Sequence, residues 1–167
     1  MVRHASFRVC RRATVVLLVV LSAWGGAARA VLAQTDPGTL HEEYIAAVNS
    51  GDSTAVVALY APDAEFLGGG GCSPNPCQGT TAIRRAYDTL VAQHAQVTLL
   101  EQYADGDTLH ARTEFRNDVT QRAGVDRIVS NVTLELNGDM IGSLRAESDL
   151  TDEQTAHFVE VVSSSRP

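Results

Sequence analysis

Ile128-Val-Ser-Asn-Val-Thr-Leu-Glu-Leu-Asn137-Gly138-Asp-Met140-Ile-Gly-Ser-Leu-Arg-Ala-Glu-Ser148 is the stretch on which the fold turns. Ile128, Val132, Leu134 and Leu136 fall on one parity; Arg127, Val129, Asn131, Thr133 and Glu135 fall on the other. That two-residue period is the mark of a strand with one wet face. Asn137-Gly138 tolerates positive φ at both positions, the strongest short hairpin signal, and turns the run back into a second strand over 140–148. The same period extends upstream through 97–103 and 108–116, where Leu109, Ala111, Thr113 and Phe115 alternate with His110, Arg112, Glu114 and Arg116. Asp105-Gly106 and the stretch Asn117 to Gly124 separate these runs, which predicts a four-stranded antiparallel meander with one apolar face.

Ahead of the meander the period changes to that of a helix. Thr39-Leu-His-Glu42 reads as a capping box opening a helix with Leu40, Tyr44, Ala47 and Val48 inward, ended by Gly51. Asp52 is placed to cap a second helix whose buried face is Val56, Val57, Leu59 and Tyr60, stopped at Ala61-Pro62-Asp63. A short strand from Ala64 to Leu67 leads into a loop of glycines and cysteines. Ile83, Ala86, Tyr87, Leu90 and Val91 form the stripe of a third helix, with Arg84, Arg85 and Asp88 on its wet side. Thr151-Asp-Glu-Gln154 reads as a further capping box before a short terminal helix. Three helices and then a meander predict an α+β cone, the helices covering one face of a curved antiparallel sheet around an apolar cavity.

The chain has 13 Arg and Lys together, all of them arginine, against 20 acidic residues. Five arginines precede Gln34, where there is no acid, so the remainder carries eight arginines against twenty acids, a balance of −12. Such a surface has no basic face for phosphates, which argues against nucleic acid as a partner. A hydrophobic content of 44% argues against disorder.

Arg3, Arg8, Arg11 and Arg12, the apolar run Ala13 to Ala23, and small residues at two candidate cleavage sites, after Ala30 or after Ala33, are the three parts of a secretory signal peptide. Residues 1–33 are therefore read as the leader and 34–167 as the folded domain, secreted or otherwise extracytoplasmic. An uncleaved anchor is the rival reading, and the only route by which this chain would meet a membrane; the run is short of the roughly 20 apolar residues a span requires. Arg11-Arg12 also leaves open a twin-arginine export route. Cys72 and Cys77, five residues apart with Pro74 and Pro76 between them, are in such a compartment most simply a disulfide. A redox-active pair and half of a zinc site are the alternatives, although His41, His94, His110 and His157 show no ligand spacing, and no metal is expected. Gly68 to Gly71 lacks the Lys-Ser/Thr of a phosphate loop, so it is read as a flexible rim, and no cofactor is expected.

Tyr44-Ile-Ala-Ala-Val-Asn-Ser-Gly-Asp52, Val57-Ala-Leu-Tyr-Ala-Pro-Asp-Ala64, Gly79-Thr-Thr-Ala-Ile-Arg84 and Tyr87 resemble the nuclear transport factor 2-like superfamily, in particular its SnoaL-like and ketosteroid isomerase branches. The resemblance runs over nearly all of Leu40 to Ser148, in the front half by motif and in the sheet mainly by pattern. It implies a cone with a deep pocket, often in a homodimer, in a superfamily that holds enzymes and binding modules alike. Tyr44 falls where the isomerases place the phenol that stabilises a dienolate oxygen. Tyr60 and Tyr87 fall where some members place supporting tyrosines. The proton-shuttling carboxylate maps to Gly68 and the second, protonated acid to Val132, so that two-acid mechanism has no base here.

The ligand-facing set is accordingly Tyr44, Tyr60 and Tyr87 with the apolar strand positions Phe66, Phe115 and Val132; the other reading of the tyrosines is amphipathic core. Asp63 and Glu65 read as solvated acids, His94 and His110 as exposed, and Arg112, Glu114, Arg116, Asp126 and Arg127 as cross-strand ion pairs on the wet face. Three functions follow as expectations: a pocket for a small, largely apolar molecule; a cyclase, isomerase or hydratase using Tyr44 as carbonyl donor; or a non-catalytic module dimerising through its sheet.

Overall fold

The computed structural model describes residues 35–164, and the leader expected over residues 1–33 lies outside them. Helix α1 (Pro37–Ser50) begins two residues before the anticipated capping box. Asp36 is the cap, its carboxylate accepting from the Thr39 N–H at 2.9 Å, and Pro37 starts the helix where a missing N–H costs nothing. Gly51, at φ +72°, ends the helix as expected. The buried face is Leu40, Tyr44 and Val48, joined by His41.

Asp52 caps α2 (Ser53–Ala58) by accepting from the Thr54 and Ala55 N–H groups. That helix is shorter than its apolar pattern suggests. Tyr60 is its expected last buried residue and instead opens strand β1 (Tyr60–Leu67), because the Leu59 carbonyl is taken by the Ile141 N–H at 2.8 Å. Sheet pairing thus captures the chain two residues before Pro62 could stop the helix. After β2 (Cys77–Gln78), helix α3 (Gly79–Ala92) buries Ile83, Ala86, Tyr87 and Leu90. Arg84 on its wet side ties α3 to α2 through the Thr54 hydroxyl at 2.7 Å.

The meander is β3 (Gln96–Asp105), β4 (Thr108–Arg116), β5 (Ile128–Asn137) and β6 (Met140–Ser148), antiparallel throughout. Among the described residues the sheet has six strands in the order β2-β1-β6-β5-β4-β3. Strand β1 lies parallel to β6, so the sheet is mixed along that one boundary. No local pattern carries that pairing, since it joins strands about eighty residues apart.

Between β4 and β5, in the separating stretch Asn117 to Gly124 for which no helix is expected, the chain forms helix α4 (Asp118–Arg122). Asn117 and Thr120 make a reciprocal capping box, with Asp118 in the first turn and Arg122 in the last, both suited to the helix dipole. Helix α5 (Glu153–Ser164) follows β6. Its cap is Asp152, accepting from the Thr155 N–H at 3.0 Å, one residue later than the capping box placed it. Gln154 turns outward from the helix and accepts from the Asp126 and Arg127 N–H groups. On the outer face Arg127 does pair with Glu114 at 2.8 Å, and also with Asp152, whereas Arg112 pairs with Asp149. The core joins α1, α2 and α3 to the inward positions of β1, β4, β5 and β6, including Phe66, Leu109, Leu134, Ile141 and Leu144.

Candidate ligand cavity

A cavity of about 220 Å³ opens between α1, α3 and the inner sheet face. Tyr44, Phe66, Tyr87, Phe115 and Val132 all line it. Tyr60 does not; it stands one hydrogen bond farther in, its hydroxyl 2.8 Å from that of Tyr87. Each arrives by the local logic of its element. Tyr44 and Tyr87 lie on the inward stripes of α1 and α3, and Phe66, Phe115 and Val132 on the inward parity of their strands.

Tyr87 donates to the Tyr44 hydroxyl at 3.0 Å. A phenol has one proton, so Tyr60 donates in turn to Tyr87, and the relay runs Tyr60 to Tyr87 to Tyr44. The Tyr44 proton has no acceptor among the described residues and is left for the cavity. Burial pushes the Tyr44 phenol up to about 12, partly opposed by the Tyr87 hydrogen bond, and burial likewise holds Tyr60 and Tyr87 well above the ordinary tyrosine value. All three are neutral donors at physiological pH. Phe66 stacks on Tyr87 with centroids 5.0 Å apart, which fixes the ring from the side.

His41 also borders the cavity, and no ligand role was read for it in the sequence. Its signal was present: it stands three residues before Tyr44 and seven before Val48, on the same helical face. The ring is fully buried and lies parallel to Tyr44 at 5.9 Å. Nδ1 is 2.9 Å from Gln102 Oε1, while the Gln102 amide nitrogen donates to Glu42. That orientation makes the glutamine oxygen an acceptor and puts the imidazole proton on Nδ1. Nε2 is then an acceptor, and it has no partner among the described residues. Burial lowers the His41 pKa, opposed by Gln102 and Glu42, so the ring is neutral at physiological pH.

Gly68 and Val132, the positions of the two isomerase acids, both line the cavity. A Cβ at Gly68 would come within 2.9 Å of the Phe66 ring, so Phe66 occupies the room a side chain there would need. Among the described residues, no Asp, Glu, Arg or Lys lines the cavity. Asp63 is exposed, and Glu65 points to Arg145 and Gln78. His94 is exposed beside Asp118, and His110 is half-buried, stacked on the exposed Tyr103.

The glycine and cysteine loop forms one rim, with Gly68, Gly69 and Ser73 against the cavity. Cys72 and Cys77 form a disulfide, and Cys72 is wholly buried. Gly70, at φ +68°, lies so close to α3 that a Cβ would stand 2.4 Å from the Ala86 carbonyl oxygen. This part of the rim is packed against α3. Phe158 of α5 also lines the cavity. Among the described residues no group of three or more His, Cys, Asp or Glu could hold a metal, and no helix is long and apolar enough to cross a membrane.

The profile of the SnoaL-like domain family matches residues 41–141, which spans α1 through the start of β6. The chain belongs to the SnoaL-like family. Among solved structures, it is 21% identical to the epoxide hydrolase/cyclase-like enzyme SalBIII of pyran ring formation in the polyether salinomycin, covering 70% of this chain and 92% of that one with a TM-score of 0.58. A putative polyketide cyclase from Sinorhizobium meliloti is 21% identical over 65% of this SnoaL-like chain and 94% of its own, with a TM-score of 0.56. A putative ketosteroid isomerase from Kribbella flavida is 18% identical over 68% and 77%, with a TM-score of 0.55. At these identities the likeness is one of fold. No curated protein matches the sequence.

Proposed function

We propose that this SnoaL-like protein is exported and binds a small, neutral, largely apolar molecule in its cone, with an oxygen of the ligand accepting from Tyr44. The observation that carries the proposal is the pairing of an uncharged cavity wall with one unspent phenol proton backed by two further tyrosines. A buried charge without a partner is costly, so such a wall selects against ionised ligands. A buried phenol donating along a relay favours a carbonyl or ether oxygen. At about 220 Å³ the cavity is smaller than the usual range of roughly 300–1,000 Å³, which favours one or two rings over an elongated molecule. Export rests on the leader pattern of residues 1–33, and the disulfide is compatible with it.

The test is binding of neutral ketones to the disulfide-bonded protein and to Tyr44→Phe by titration calorimetry. Loss of one net hydrogen bond of about 1 kcal/mol predicts roughly fivefold weaker binding in Tyr44→Phe. Equal affinity in the two proteins would remove Tyr44 from the site.

A further inference from the structure

A second polar group of side chains faces the same cavity, on the sheet side. Thr113 of β4, Ser130 of β5 and Ser148 of β6 all line it. They are direct cross-strand partners, Thr113 opposite Ser130 and Ser130 opposite Ser148, so they form a continuous row across three strands. Neighbours of that kind have Cβ atoms roughly 4.5–5.5 Å apart, near enough for one small ligand to touch two of them at once. Thr113 is 4% exposed and Ser130 7%, while Ser148 is exposed, so the row leads inward from the opening.

Their apolar surroundings make the row notable. On the same faces stand Leu109, Ala111 and Phe115; Ile128, Val132 and Leu134; and Leu144 and Ala146. Buried hydroxyls in such company are normally bonded to backbone or to a neighbour, since an unpaired one costs about 1–3 kcal/mol. The three side-chain hydroxyls make no hydrogen bond to another described residue, and their oxygens are not sealed in the core, where His41 Nε2 is the one unpartnered side-chain polar atom among the described residues; they are open to the cavity. Where this protein does bury a hydroxyl for structure, it pairs it: Thr120 bonds Asn117, and Thr155 bonds Val129 and Asp152.

We infer that Thr113, Ser130 and Ser148 form a second binding pole for hydroxyl groups of the ligand. The inference rests on the cavity reading above and sharpens it: the ligand is a neutral hydroxy-ketone, its carbonyl on Tyr44 and its hydroxyl on the row. Each serine or threonine hydroxyl both donates and accepts, so the row matches an alcohol or phenol, which does the same. A ketone without the hydroxyl leaves the row unpaired and binds more weakly.

The experiment compares 4-(4-hydroxyphenyl)butan-2-one with 4-phenylbutan-2-one, which differ only in the hydroxyl, by titration calorimetry on protein purified from expression of the full chain. Wild type is expected to bind the hydroxy-ketone at least fivefold more tightly. In a Thr113→Val, Ser130→Ala double variant that preference disappears, because the hydroxy-ketone loses its partners while the plain ketone no longer leaves hydroxyls unpaired. In Tyr44→Phe both compounds weaken together and the preference stays. Should that double variant misfold, Ser148→Ala alone is expected to reduce the preference. Equal binding of the two ketones to wild type overturns the hydroxyl pole and leaves the Tyr44 site standing. Binding of neither overturns the cavity reading and this inference with it.

Discussion

The hydroxyls of Tyr60, Tyr87 and Tyr44 are ordered by proton count, and their order sets what each is worth. Tyr87 both accepts and donates, so Tyr87→Phe strands the Tyr60 proton and removes the donor behind Tyr44. Tyr60→Phe strands nothing, because Tyr87 keeps its own acceptor. Urea denaturation is expected to show Tyr87→Phe destabilised by about 1–3 kcal/mol and Tyr60→Phe by clearly less; the reverse order would contradict the relay direction. Gly70 supplies a second residue-scale test. Gly70→Ala meets the Ala86 carbonyl at 2.4 Å, whereas Gly71→Ala meets open space at a similarly positive φ, so Gly70→Ala is expected to lower Tm by more. The tyrosines were legible in the sequence because aromatic residues on helical stripes carry a pattern. The hydroxyls of Thr113 and Ser130 were not, since small polar residues inside an apolar alternation look like simple breaks in it. His41 shares the inward stripe of α1 with Tyr44 and Val48, but only the Gln102 contact, sixty-one residues away, reveals its tautomer.

Helices and strands were read well wherever local signals and tertiary demands agreed. Helix α3 and the β5–β6 hairpin are of that kind: stripe, parity and turn all point one way. Disagreement arose where a distant partner decided the matter, as when β6 draws Tyr60 into β1 and away from α2. Helix α4 was missed although Asn117 and Thr120 are good capping residues, because five residues carry too little periodicity to register. Helix α5 is fastened by its acidic cap. Asp152 is held below the usual aspartate range first by the Thr155 N–H, which burial opposes, and then by the Thr155 hydroxyl and Arg127. Asp149 is held down by the Thr151 hydroxyl and N–H and by Arg112. A carboxylate with a depressed folded-state pKa stabilises above its unfolded pKa and loses that contribution as pH falls through the folded value. The docking of α5 is therefore expected to be intact at neutral pH and to weaken as pH falls from about 4 downward, read as faster amide exchange in 155–161 relative to α3. At neutral pH, Asp152→Ala should cost about 1 kcal/mol through loss of the cap.

For the whole molecule, one architecture serves two ends: helices on one side of a curved sheet bury a common core and leave a neutral cavity where the layers part. The fold was legible almost completely, because a helix-to-strand change of period and a few turn residues restrict the layer arrangements to a handful. The cavity's chemistry was half legible: the sequence places the phenols and shows both isomerase acids replaced, but which polar groups lack partners depends on three-dimensional pairing. The rim belongs to the same scale, because the disulfide ties the segment after β1 to the entry of α3. Opening it with Cys72→Ala and Cys77→Ala together is expected to cost roughly 2 kcal/mol by loop-closure entropy, measured by urea denaturation. The most direct test of the cavity as a neutral-ligand site at Tyr44 is a thermal-shift comparison of wild type and Tyr44→Phe against neutral ketones and matched carboxylates. Saturation at 100 times the dissociation constant should stabilise by about 2.7 kcal/mol, a rise of several degrees. The expected result is a rise with ketones alone that shrinks in Tyr44→Phe. A rise with carboxylates alone, or an identical rise in both proteins, would contradict it.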